Sequence, residues 1–276
     1  MAEKPVANAL TLELEPVVDE NLTRHLETDS AWYGHDYVPF DQGENFAFLG
    51  GRDWEPSDVT LPKTVTDGLE ILQITKDNLA GYHRELVFNF ILEGKWGRFI
   101  GRWTAEEHLH AVALRNYLVV TREIDPAANE DVRVAHTTKG YRSDNYSQIE
   151  TLAFMAMFER AHAVFVRNLQ RLVEEPVLKA LLGRIAMDEE RHEQIFANLV
   201  GHLLTTHRDE TVEAIAKRAR TLGVVGGDID AYQDKVATMA EAGVFSEEYR
   251  RRVIADRIQA WGVSDEPALA EFVTSR

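Results

Sequence analysis

The chain contains no cysteine at all. That excludes disulfides, thiolate metal sites and iron–sulfur clusters carried by this chain. Any redox chemistry therefore needs carboxylate or imidazole ligands and electrons from elsewhere. No run of eighteen or more apolar residues occurs, so no transmembrane helix is expected. The first residues, MAEKPVANALTLELEP, lack a basic region followed by an apolar block, so no signal peptide is expected. Basic charge is also short, with 30 Lys and Arg against 46 Asp and Glu and a net charge of −16. A balance that acidic argues against general nucleic-acid binding. Strand signals and low-complexity segments are scarce too, and a cytoplasmic protein is the default.

Helical periodicity, by contrast, is nearly continuous. With 276 residues and 45% hydrophobic content, the chain can bury one large core. Long helices are expected over 64–92, 98–122, 148–173 and 175–206. At ~1.5 Å per residue, such segments reach ~40 Å, the scale of a helical bundle. Breaks fall at EGKWG (93–97), HTTKGYRSDN (136–145) and EEP (174–176), giving two helical hairpins joined through a short helix near 129–139. A helical segment at 8–27 and a Gly-, Asp- and Pro-rich loop come before the bundle. Three shorter helical segments follow it, broken at GVVGGD (223–228) and EAGVF (241–245). The expectation is an all-α four-helix bundle with additional N- and C-terminal helices. It forms a single domain over 1–276, with a core at about 64–206 and an extension at about 208–276.

Three of the four long segments carry inward-facing acids. Glu107 and His110 lie on the face Trp103, Glu107, His110, Leu114, Tyr117, and Glu189 and His192 on Ile185, Glu189, His192, Phe196, Leu199. One Glu-x-x-His motif arises by chance in a chain of this size, and a lone inward histidine is usually an ordinary core residue. The long-range pattern is more specific. Glu159, with His162 one turn on, sits on an inward face 30 residues before Glu189, and Lys76 sits 31 residues before Glu107. Di-metal carboxylate bundles take one Glu from each of two helices and Glu-x-x-His from each of the other two. Five of those six ligands are present here, and Lys76, on the face Leu69, Leu72, Leu79, Leu86, stands where the sixth belongs.

At these residues the chain resembles the soluble acyl-acyl-carrier-protein desaturases of plants and mycobacteria, a ferritin-like family, and looks most like the mycobacterial members. WTAEEHLH, DEERHE, DNLAGYHRE and WYGHDYVP carry the resemblance, in order, across roughly residues 10–205. It implies a homodimeric, ferritin-like enzyme of fatty acid biosynthesis that inserts a cis double bond into an acyl chain on acyl carrier protein. Such enzymes use a di-iron site (Mn being a substitute), O2 and two electrons from a ferredoxin-type donor. Carried over by position, Glu107 and Glu189 would bridge the metals. His110 would bind the first metal, and Glu159 with His192 the second. Asp188 and Trp32 match a pair that holds the first histidine and conducts electrons.

Two positions depart from that pattern. Lys76 replaces the first terminal glutamate, and its neighbour Asp77 lies ~100° around the helix, able to substitute only through local distortion. His162 stands where the family has a small hydroxylated residue, and is a second candidate substitute ligand. Charge bookkeeping favours one arrangement: three carboxylates balance one ammonium and one divalent metal. The Lys76 ammonium would then replace the first metal, leaving one at Glu107, Glu159, Glu189 and His192. The simpler alternatives are a Lys76 that snorkels outward and a His162 that is plain core. Rival functions are a non-catalytic acyl-carrier-binding partner and, less favoured, a metal oxidase or storage protein. Lys217, Arg218 and Arg220, and Arg250, Arg251 and Arg252, are candidate docking patches for acidic acyl carrier protein, or simply solvated helix faces.

Overall fold

The computed structural model describes residues 7–28, 31–140 and 146–273, in which eleven α-helices and no strand form. The first hairpin is α2 (Lys63–Asp77) continued by α3 (Leu79–Asn89), followed by α4 (Gly94–Val120). The second is α6 (Gln148–Leu172) and α7 (Pro176–Thr206). α1 (Ala9–Thr28) lies against α4 and α7, and α5 (Pro126–Lys139) links the hairpins. After the bundle come α8 (Arg208–Thr221), α9 (Gln233–Glu241), α10 (Glu247–Ala260) and the single turn α11 (Ala270–Val273). This is the ferritin-like helical architecture expected, with one short terminal helix more than the periodicity indicated.

Local chemistry fixes where the second hairpin begins. Ser147 Oγ accepts from the Glu150 amide at 3.2 Å while the Glu150 carboxylate accepts from the Ser147 amide at 3.1 Å, a reciprocal cap on α6. Glu175 accepts from the Val177 and Leu178 amides, and Pro176 supplies a helical φ without an amide to satisfy.

Three expected boundaries move. The single helix expected over 64–92 is interrupted at Asn78, whose backbone (φ −76°, ψ 10°) leaves the helical range. Asparagine is a weak helix former, and periodicity is blind to a break that keeps both halves on one face. The break expected at EGKWG falls instead at 90–93, because Trp96 is helical and fully buried, stacked on Phe90 at 4.0 Å and donating to the Thr11 carbonyl. Residues 136–139 of the expected break at 136–145 belong to α5, while 141–145 lie outside the described residues.

The apolar core comes in two clusters, one toward each end of the bundle. The first holds Trp96 to Trp103 of α4, Ile149 to Met157 of α6 and Ile195 to Leu204 of α7. The second holds Val65 to Ile74 of α2, Ala113 to Leu118 of α4, Ala161 to Leu169 of α6 and Leu178 to Ala186 of α7. Between them every long helix turns polar at one level: Lys76, Glu107 and His110, Glu159 and His162, and Asp188 to His192. The bundle has a polar waist.

The loop after α8 is pinned to α2 at Gly226, which has φ +80° and where an added Cβ would sit 2.5 Å from Ile71 Cγ2. Gly226→Ala is expected to destabilise the protein by about 1–3 kcal/mol. Urea unfolding should show a lower midpoint at unchanged slope, and a midpoint equal to wild type would contradict this account of the loop.

Candidate metal centre

Lys76, Glu107, Glu159 and Glu189 are all buried at the waist, brought there from α2, α4, α6 and α7. The Lys76 ammonium donates to Glu107 Oε2 and to Glu189 Oε1, each at 2.6 Å. It does not snorkel. Trp103 Nε1 donates to Glu159 Oε1 at 2.8 Å, while Glu159 Oε2 and Glu189 Oε2 are buried without hydrogen-bond partners.

Burial opposes charge on each of these groups, and pairing decides the outcome. Against its burial, Lys76 is held above the ordinary ammonium range by Glu107, Glu189 and Glu159. Glu107, also against burial, is drawn well down by Lys76 and His110. Glu189 goes down too: burial and Glu107 push up, but Lys76 and His110 outweigh them. Glu159 goes up, from burial first and then the charges of Glu107 and Glu189.

Each inward histidine is held from behind, and the two arrangements mirror one another. His110 Nε2 donates to Asp188 Oδ2 at 3.1 Å, and Trp32 Nε1 donates to the same oxygen at 2.8 Å. The Trp32 and His110 rings stack at 6.1 Å, and Arg191 approaches Asp188 Oδ1. On the other side, His192 Nε2 donates to Glu106 Oε2 at 2.8 Å, His25 Nε2 lies 3.0 Å from both Glu106 oxygens, and Arg102 donates to Glu106. The supports cross over. Asp188, just before Glu189 on α7, holds the histidine of α4, and Glu106, just before Glu107 on α4, holds the histidine of α7. A carboxylate behind an imidazole fixes its tautomer and points the other nitrogen inward. His192 is accordingly raised to about 10 in spite of burial, by its bonds to Glu106 and Glu107.

Sequence reasoning missed Glu106, His25 and the role of Trp103. His25 continues the buried stripe Leu14, Val18, Leu22 of α1, and Glu106 repeats the acid-before-Glu pattern of Asp188. Those two signals would have found them.

Donor atoms of Glu107, Glu159, Glu189 and His192 lie within 4.8 Å of one another. Three carboxylates and one imidazole, with two orphaned oxygens among them, fit a divalent cation such as Fe or Mn. His110 is outside this group, its Nδ1 3.1 Å from Glu189 Oε1 on the side where Lys76 binds the same oxygen. Asp77 does not repair the site: it is paired with Arg115 and Gln73, away from the waist. His162 Nδ1 is 3.8 Å from Glu189 Oε2, with burial and then Lys76 lowering its pKa to about 4, so it stands as a neutral ring beside the group of four. His25, Glu106 and His192 also converge, but Glu106 already accepts from Arg102 and both imidazoles, so this group serves as outer support.

The sequence profile described as "Fatty acid desaturase" matches residues 7–273. The chain belongs to the fatty acid desaturase family. It is 65% identical, over 99% of its length and 100% of the relative's, to DesA2 of Mycobacterium tuberculosis, named provisionally as an acyl-[acyl-carrier-protein] desaturase. It is 26% identical to the chloroplastic acyl-[acyl-carrier-protein] desaturase 6 of rice, over 92% of this chain and 66% of that one. The X-ray structure of the Mycobacterium tuberculosis DesA2 superposes with a TM-score of 0.86 at 58% identity, covering 97% of this chain and 100% of the other. Among the described residues, no helix is long and apolar enough to cross a membrane.

Removing one partner of a buried ion pair costs about 3–5 kcal/mol. Lys76→Met, with metal stripped from both proteins, is expected to lose that much stability in urea. A loss below about 1 kcal/mol would mean that the pairing contributes little to the fold.

Proposed function

We propose that this protein acts as an acyl-[acyl-carrier-protein] desaturase-type enzyme whose centre holds one divalent metal, with the Lys76 ammonium in place of the second. The observation that carries the reading is the Lys76 ammonium seated between Glu107 and Glu189, with Glu107, Glu159, Glu189 and His192 left as a convergent donor set. Family membership supports the substrate class, a fatty acyl chain on acyl carrier protein. Removing two hydrogens from adjacent carbons while reducing O2 to two waters requires two further electrons and two protons, and a ferredoxin-type protein is the expected donor. A bound iron, or manganese in its place, would supply O2 activation.

The chain's own residues do the rest. Glu107, Glu159, Glu189 and His192 would hold the metal. Lys76 keeps a fixed positive charge against Glu107 and Glu189. Trp32, Asp188 and His110 form a continuous hydrogen-bonded route inward from beside exposed Tyr33. A cytoplasmic homodimer, folded as one domain over 1–276, completes the proposal.

Acyl carrier protein is acidic, and the two basic patches do not supply the complement. Lys217 is paired with Glu150, Arg220 with Glu271, and Arg250, Arg251 and Arg252 with Glu247 or Glu248. Arg218 is buried over the Tyr146 ring. Docking therefore falls to another surface. The second reading, a non-catalytic acyl-carrier-binding protein, is favoured by Lys76 alone, since an ammonium in place of one metal would leave a single redox ion.

Protein saturated anaerobically with ferrous iron is expected to hold one iron per chain by elemental analysis, and Lys76→Glu to hold two. Two irons in the wild type would overturn the ammonium-for-metal assignment. Turnover of acyl-[acyl-carrier-protein] with ferredoxin and O2 separates enzyme from binding partner. Because outer carboxylates orient metal-binding imidazoles, Glu106→Ala should weaken iron binding about 10–100-fold, as Asp188→Ala would for a metal bound by His110. Unchanged affinity in Glu106→Ala would remove His192 from the ligand set.

A further inference from the structure

Away from the carboxylates, a cavity of about 330 Å³ enters the bundle at the loop 221–228. Exposed Gly223, Gly227 and Asp228 stand at its outer end, and its walls are the rings of Tyr82, Tyr146, Phe154 and Phe158. Its most buried lining residues are Thr75, Ala161 and His162. None of Lys76, Glu107, Glu159, Glu189 or His192 lines it. Thr75 is already committed, its hydroxyl donating to the Ile71 carbonyl at 2.8 Å.

His162 is the side chain that faces both the cavity and the centre. Its Nδ1 lies 3.8 Å from Glu189 Oε2 and makes no hydrogen bond, and its ring meets Phe158 edge to face with centroids 3.9 Å apart. The ring is held by packing rather than by a polar partner, and it both lines the cavity and adjoins Glu189. Ligand pockets run from ~300 to 1,000 Å³, so this one is at the small end and its length matters to what it accepts.

We infer that His162 sets how deep an acyl chain can enter. The imidazole closes the inner end, and a linear chain threaded past Tyr82 and Phe158 stops against it. The chain then presents its terminal carbons to the centre rather than its middle. The occupant is an acyl chain delivered on a carrier protein, so this inference rests on the function proposed above; the aromatic walls and the closeness of Glu189 support that occupant. Each methylene that still finds room should tighten binding about fourfold, and the gain should cease once the chain meets the ring.

The test is binding, without turnover. Iron-loaded protein, with no electron donor present, is titrated with acyl carrier protein carrying chains from hexanoyl to stearoyl. For the wild type, affinity should rise with length and then level off or fall. His162→Ala should move that limit to longer chains by at least two carbons, and His162→Phe, which keeps a ring in place, should leave it where it was. Because the His162 Nδ1 bonds nothing, neither variant breaks a polar network. A limit at the same length in wild type and His162→Ala would overturn the inference and leave the proposed function standing. So would a wild-type affinity that rises without limit. Binding of no acylated carrier at any length would bring down both.

Discussion

The interaction on which the structure depends is the Lys76 ammonium held between Glu107 and Glu189. Three charged side chains sit where almost no water reaches them, and each alone would be prohibitively costly to bury. Together they tie three helices, α2, α4 and α7, at one level of the bundle. Glu159, on the fourth helix, is left outside the pairing and pushed toward its neutral form by burial and then by the same two carboxylates. Of the carboxylate oxygens at the waist, Glu159 Oε2 and Glu189 Oε2 are left without a hydrogen-bond partner.

The apolar clusters above and below the waist explain why such a level survives. Packing at both ends fixes the helices, so the polar side chains meet at set distances rather than relaxing toward solvent. The crossed supports add rigidity. Each histidine is held by a carboxylate from the opposite hairpin, and each carboxylate is reached in turn by a side chain from α1 or the segment after it, His25 or Trp32. The N-terminal segment thus belongs to the centre, although it contributes none of the four converging donors.

Much of this was readable beforehand, because helical periodicity reports which way a side chain faces. Glu107, Glu159, Glu189, His192 and Lys76 all announce themselves as polar residues on apolar faces. Periodicity does not report partners. Glu106 meets His25 across 81 residues of chain, a pairing that facing direction alone does not encode, and Trp103 reads as plain core although its indole N–H holds Glu159. The break at Asn78 was hidden for a related reason, since the interruption preserves the face on which Leu72 and Leu86 lie. The basic runs read as patches because their acidic partners, Glu247 and Glu248, sit one turn away on the same helix, and Glu271 lies far along the chain.

The unequal fates of the two histidines bear on how electrons would arrive. The route through Trp32 and Asp188 ends at His110, whose inner nitrogen adjoins the Glu189 oxygen bound by Lys76. The four converging donors include His192 instead, and behind His192 stand Glu106 and His25. A centre with one metal would therefore be served most directly by the Glu106 support, and the Trp32 route would end beside a charge that cannot change its oxidation state. Both supports border one surface hollow of about 580 Å³, lined by Trp32, Tyr33, Arg102, Glu106, Leu109 and Asp188. The two supports, though they serve different histidines, therefore reach the same face of the bundle, one through Trp32 and Asp188 and the other through Arg102 and Glu106.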